Sequence, residues 1–191
     1  MNGAIPAEQL KTKGGMHPGE HLVLTKALGT GVILAAHMQG KSRGEYVDGA
    51  LQSMLVSNRH AVPLMDKHGV TAATDVTGFG LAGHLSEMLR ASRVSARLDL
   101  DALPLLGGAL ELMASGIKSS LHEGNDRSVA GMDESGHPNF QMLFDPQTAG
   151  GLLLSVPAAR SEALCGPGIR GLPGCSGDWH RCRARQHGDH L

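Results

Sequence analysis

The sequence predicts an α+β fold of α/β-like character, a β-sheet covered by helices, and three observations predict it. Apolar runs at 20–25, 70–75 and 152–156 have the length of strands. Segments with apolar residues every three or four positions lie between them, and glycine-bearing turns mark the junctions. Each such element must bury an apolar face, and a sheet flanked by helices lets both kinds do so at once.

The elements follow in order. Glu20 to Thr25, entered through Pro18-Gly19, reads as a strand, and Lys26 to Gly31 is the turn into a helix that starts with Val32 to Met38. Gly49 to Asp66 carries Leu51, Met54, Leu55, Val62 and Met65 at helical spacing, with a break expected at Pro63 and a stop at Lys67-His68-Gly69. Val70 to Asp75 is a buried strand, Thr77 to Gly80 a turn, and Leu81 to Ala91 a helix. Ser95 to Leu100 alternates and reads as a half-exposed strand. A short helix is expected between Pro104 and Gly116, and a long loop from Lys118 to Pro138, where polar residues and glycines dominate. Gln141 to Phe144 leads into the turn Asp145 to Gly151, the strand Leu152 to Val156 and a helix that starts at Pro157.

Composition narrows the function. At 191 residues with 41% apolar and 18% charged residues, the chain has a globular balance and suits one principal domain. Aromatics make up only 3%, so the core must be aliphatic, and Met54, Met65, Met88 and Met113 read as core filler. A net charge of -1 and the lack of a basic face argue against nucleic acid as a partner. No run approaches the ~20 apolar residues of a membrane span, and Met1 to Gly15 lacks signal-peptide grammar, so no membrane partner and a cytoplasmic location are expected. All three cysteines follow residue 164, which excludes a disulfide framework for the body.

Three segments carry chemistry. In Thr74-Asp-Val-Thr-Gly-Phe-Gly-Leu-Ala-Gly-His84 an acidic residue ends a buried strand and glycines open the next helix. A carboxylate placed there can hold a hard cation that accompanies phosphate, while glycines let backbone amides approach an anion. Asp75 can equally cap the following helix, and the pattern alone leaves both readings open. Asp145-Pro-Gln-Thr-Ala-Gly-Gly-Leu-Leu-Leu154, read from its residues, is a tight turn with no nucleophile–base pair. Leu24-Thr-Lys-Ala-Leu-Gly-Thr-Gly-Val32 lacks the Gly-Lys-Ser/Thr ending of a phosphate loop. His84 reads as a packing or hydrogen-bonding residue, and the run Arg90 to Arg97 as solvated surface.

Taken in order over residues 3 to 164, these strings resemble the C-terminal domain of selenide, water dikinases (selenophosphate synthetases), in the superfamily that includes aminoimidazole ribonucleotide synthetases. The resemblance implies a mixed β-sheet flanked by helices, of the aminoimidazole ribonucleotide synthetase C-terminal-domain type. It implies an ATP-dependent phosphotransferase that makes selenophosphate, AMP and phosphate from ATP, selenide and water, with Mg2+ as cofactor. Asp75 is then a metal ligand, and Thr74, Gly78 and Gly80 shape the cofactor pocket. The family's reactive cysteine or selenocysteine and its lysine partner belong to an N-terminal half that has no counterpart in these residues. No residue here is assigned as catalytic, and the isolated chain is expected to make no selenophosphate. A sibling enzyme of hydrogenase maturation or purine biosynthesis, and a non-catalytic truncated binding or regulatory fragment, are the competing readings.

The domain reading is 1–16 as a remnant of the N-terminal domain and linker, 17–164 as the synthetase-like domain, and 165–191 as an atypical tail. The tail holds every cysteine, the only tryptophan and His180, His187 and His190, yet shows no amphipathic period. A zinc site is weighed against it, but no Cys-x-x-Cys knuckle is present; a natural disordered tail is the plainer reading. A third reading is a shifted frame. Trp179 has the single codon TGG and His180 begins with C, so the frame displaced by one base reads glycine there. Allowed codons then turn Gly177 to Cys182 into Val-Ile-Gly-Thr-Val-Ala and Gln186 to Leu191 into Ser-Met-Val-Ile-Thr, both strand-like. Out-of-frame residues in place of the last strands would leave sheet edges open, so self-association into a homo-oligomer is expected.

Overall fold

The structure, a computed structural model, describes residues 6, 10–129, 132, 136–164 and 180–182. Four strands form one sheet in the order β2-β3-β1-β4: β1 Glu20–Leu24, β2 Ala72–Asp75, β3 Leu152–Pro157 and β4 His180–Cys182. The α+β class holds, and among the described residues every ladder is antiparallel and the single bridge Leu28 to Leu105 is parallel. The sheet is therefore less mixed than expected. Strand direction depends on how the connections return, and the apolar content of a strand does not record it.

Both faces of the sheet are covered, which is why its strands read as nearly continuous apolar runs. Leu22, Leu24, Ala72 and Leu153 point into a cluster with Leu81, Leu85 and Met88 of helix α4 (Gly80–Ser92). Val23, Leu154 and Val156 point the other way, against Met65 of α3 (Val62–His68) and Leu164 of α7 (Ala158–Leu164). Leu22, Leu24, Leu153 and Leu154 are each at most 1% exposed; burial of such a side chain stabilises the fold by about 1.5–3 kcal/mol. A third cluster joins α1 (Thr30–Met38), α2 (Gly44–Leu55) and α5 (Ala109–Ala114) through Val32, Ile33, Ala50, Leu112 and Met113. Met65, Met88 and Met113 are core residues, as their spacing suggested, whereas Met54 is only half-buried and belongs to none of the three clusters.

Four sequence expectations need correction. The segment 49–66 is two helices, not one. Its break falls at Val56-Ser57, where the Ser57 hydroxyl accepts from the Arg59 amide, and Pro63 lies in the first turn of α3, where its missing N–H costs no bond. Residues 95–100 join no ladder among the described residues, although Ala96, Leu98 and Leu100 pack on the core in alternation. The expected loop 118–138 contains helix α6 (His122–Ser128). The tail supplies β4, which pairs Cys182, Arg181 and His180 with Leu22, Val23 and Leu24, so the β1 edge is covered over those residues. Ladders are made by backbone groups, and an unpromising side-chain pattern does not prevent one. The zinc and frame-shift readings otherwise lie outside the described residues. On the opposite edge the Ala73 amide donates to the Thr12 carbonyl, and Met16 is buried in the core, so residues 11–16 pack on the domain.

Candidate functional site

The first amides of an α-helix have no partner within the helix, and they attract an anion or an acceptor. At α1 that acceptor is Gln147. Its Oε1 accepts from the Gly29 amide at 3.1 Å, the Thr30 amide at 3.3 Å and the Thr30 hydroxyl at 3.1 Å. The Thr30 hydroxyl in turn accepts from the Thr148 amide at 2.9 Å. Gln147 Nε2 donates to the Asp145 carbonyl at 2.8 Å and to its carboxylate Oδ2 at 3.0 Å. The segment 24–32, which lacks a phosphate-loop ending, thus spends its helix N-terminus on another part of the same chain.

Asp145 is fully buried, and burial pushes its carboxyl up to about 7, against the lowering effects of the Gln147 amide and the Gly31 and Val32 backbone amides. Those two amides favour the carboxylate electrostatically, yet Oδ1 has no hydrogen-bond partner. The fit is tight on the helix side too, since a Cβ added at Gly31 would stand 2.7 Å from Oδ1. Desolvation outweighs the partial partners, as it does for a carboxyl left with too few of them.

The same segment packs against the end of β2. The Gln147 amide donates to the Thr77 carbonyl at 2.9 Å and the Val76 amide to the Gly151 carbonyl at 2.9 Å. A methyl at Gly150 would collide with the Val76 carbonyl oxygen, so this approach requires glycine. Lys26 Nζ donates to the Ala149 carbonyl at 2.8 Å, Asn58 Nδ2 to the Gly150 carbonyl at 2.9 Å, and the Leu152 amide to the Thr25 hydroxyl at 2.8 Å. Residues 145–151 are therefore a wedge between the turn after β1 and the turn after β2. All three motifs meet there.

Two further side chains hold the 77–80 turn. Asn125 of α6 is buried and donates from Nδ2 to the Gly78 carbonyl at 2.8 Å and the Phe144 carbonyl at 3.0 Å. His84 of α4 places Nε2 3.1 Å from the Thr77 hydroxyl, while Nδ1 has no hydrogen-bond partner. Burial lowers the His84 pKa, and the nearby Glu87 and Asp75 carboxylates act in the opposite direction.

Of the residues singled out in the sequence, Asp75 ends β2 with an exposed side chain, and no hydrogen bond or ion pair among the described residues engages its carboxylate. It caps no helix. Position 79 is the N-cap of α4, which receives no side-chain capping bond. Thr74 is buried, with its hydroxyl 3.3 Å from the Asp75 carbonyl. Gly78 is half-buried with open space where a Cβ would stand. Gly80 adopts φ +68° and admits the Leu143 carbonyl oxygen 2.8 Å from its missing Cβ position, which gives it a packing reason of its own. Phe79 is 59% exposed between them.

One exposed carboxylate suits a magnesium ion that is held mainly by phosphate, water and other chains, but it does not make a site by itself. Among the described residues no group of three or more His, Cys, Asp or Glu side chains could hold a metal. Asp145, Gln147 and Asn125 were missed as site residues. Asp-Pro and Gly-Gly signal a turn whatever it docks against, and Asn125 lay in a segment read as loop.

Residues 17–166 match the family model described as AIR synthase related protein, C-terminal domain. Selenide, water dikinase of Porphyromonas gingivalis (strain ATCC 33277) is 40% identical over 166 residues, which covers 86% of this chain and 48% of that protein. The enzyme of the same name from Nitratidesulfovibrio vulgaris (strain DP4) is 38% identical over 173 residues, covering 86% and 48%. The chain spans about half the length of the curated relatives it matches. Among solved structures, E. coli HypE, a hydrogenase maturation protein, superposes with a TM-score of 0.67 at 15% identity, over 96% of this chain and 48% of that one. Thiamine monophosphate kinase from Aquifex aeolicus does so at 0.59 and 16%, over 94% and 51%. At such identities these two speak for the fold alone. No helix of the described residues is long and apolar enough to cross a membrane.

Proposed function

From the premise that this chain belongs to the AIR synthase related family through its C-terminal domain, we propose that it is the C-terminal part of an ATP-dependent selenide, water dikinase. The reaction converts ATP, selenide and water to selenophosphate, AMP and phosphate. The relatives at 38–40% identity carry that name. A solved structure of HypE with ATP and one of a thiamine monophosphate kinase with AMPPCP support nucleotide use in this fold. The single observation that carries the reading is the junction of the three motifs, where the Asp75 carboxylate stands exposed, with no hydrogen bond or ion pair among the described residues, beside a turn tied down from three sides.

In this reading Asp75 contributes one oxygen to a Mg2+ ion, and Thr74, Gly78 and Gly80 shape the surface beside it. Bound there, the metal would neutralise phosphate charge and ease attack by an anion. The chain's own residues orient. His84, Asn125 and the Gln147 amide keep the 77–80 turn from relaxing, so the carboxylate meets its ligand without reorganisation. No nucleophile is assigned here, and the chain alone turns nothing over.

The test is to produce the chain together with the N-terminal half of the Porphyromonas relative, supply ATP, selenide and Mg2+, and follow selenophosphate and AMP by phosphorus NMR. The pair is expected to form both, the chain alone neither, and the pair with Asp75→Asn neither. Turnover by the chain alone, or a pair indifferent to that substitution, overturns the proposal.

A further inference from the structure

We propose that Gln147 is a positioning residue for this site: by binding the N-terminus of α1 with its side chain and the Thr77 carbonyl with its amide, it sets where β2 ends and so where Asp75 stands. The inference rests on the reading of Asp75 given above. Gln147 is 5% exposed and uses both ends of its amide, Oε1 on Gly29 and Thr30 and Nε2 on Asp145. Its backbone N–H reaches Thr77, two residues beyond Asp75. The ladder continues the tie, because Val76 pairs with Gly151 and Asp75 lies opposite Leu152. A displacement of the wedge therefore moves the strand end with it. A side chain that merely filled the core would give no reason for one amide to face two motifs while its backbone faces the third.

The surroundings of Gln147 supply a second handle. Asp145 meets the Gln147 amide and the amide dipoles of Gly31 and Val32, and no charged side chain is among the causes that move its titration. Gln147→Glu keeps an acceptor for Gly29 and Thr30 but sets an acid against Asp145. The pair can share a proton in acid and must repel once both are ionised.

The experiment is heteronuclear NMR of the chain, with the Asp75 and Gly78 amides and the Asp75 carboxyl carbon as reporters. Tyr46→Phe, which removes only the distant bond from Tyr46 to Glu111, is the control. Gln147→Ala should shift the Asp75 and Gly78 signals by more than the control does. Gln147→Glu should match the native Asp75 signals at about pH 5 and depart from them at about pH 8. Should Gln147→Ala not fold, the Glu variant decides alone. Shifts confined to the α1 amides, with Asp75 unmoved in the Glu variant at both pH values, overturn the inference and leave the proposed reaction standing. A reconstituted pair that makes no selenophosphate overturns the reaction, while the NMR result stands by itself.

Discussion

Gln147 Nε2 lies 3.0 Å from Asp145 Oδ2, and neither side chain is more than 5% exposed. A neutral amide is the nearest side-chain partner of a buried acid whose other oxygen is left without one. That arrangement makes the Asp145 charge costly to the fold, and the residue sits under the junction of the three motifs.

Stability should consequently fall as pH rises from about 4 to about 7. The Asp145 pKa is raised from 3.8 to about 7, so between those values the folded chain holds a proton that the unfolded chain has released. The contribution is fully present below the unfolded value and lost as pH climbs through the folded one, a span worth a few kcal/mol, roughly. Asp145→Asn should abolish this component. Urea unfolding at about pH 4, about pH 5 and about pH 8 is expected to show the variant gaining on the native chain as pH rises from about 4 to about 7, with little further gain above it.

Thr30→Val tests the helix end. The Thr30 hydroxyl is buried, donates to Gln147 and accepts from the Thr148 amide, so the substitution keeps the shape, removes one of the three donors to Gln147 Oε1 and leaves the Thr148 amide without this acceptor. The expected loss is about 1–3 kcal/mol, read from the unfolding midpoint.

Two glycines separate packing from propensity. Gly150→Ala drives a methyl into the Val76 carbonyl and should destabilise by about 1–3 kcal/mol or more. Gly124→Ala, on an exposed position of α6 with nothing within 4 Å of the new Cβ, should stabilise by roughly 0.5–1 kcal/mol. Thermal unfolding of both checks the opposite signs.

Asp75→Asn should leave the melting temperature almost unchanged, because the side chain is exposed and no hydrogen bond or ion pair among the described residues engages it, so it contributes within about 0.5 kcal/mol. It should also lower the His84 pKa further, since the Asp75 charge is one of the two that raise it. Histidine NMR titration in both chains reads that shift, and a rise would contradict the geometry.

What could be read before the structure depended on how many neighbours a segment needs. β1, β2 and β3 were legible because each is buried on two faces and so carries an apolar run that turns interrupt. The segment 95–100 misled because its alternation is real: Leu98 and Leu100 do face the core, but a strand also requires an edge to pair with. The helix α6 escaped notice because its seven residues bury only His122 and Asn125, and neither is apolar.

The amino-acid sequence by itself determined that strands and helices alternate around an aliphatic core, and it supplied the three motif strings, because local period, turn chemistry and residue size act over a few neighbours. Only the tertiary structure decided that Asp145 and Gln147 fill the N-terminus of α1, that Gly150 must be glycine for the sake of Val76, and that Asp75 stays exposed. Those outcomes depend on contacts between residues more than a hundred positions apart for Gln147 and α1, and on the removal of water from an acid. Neither quantity is written in the spacing of residues along the chain.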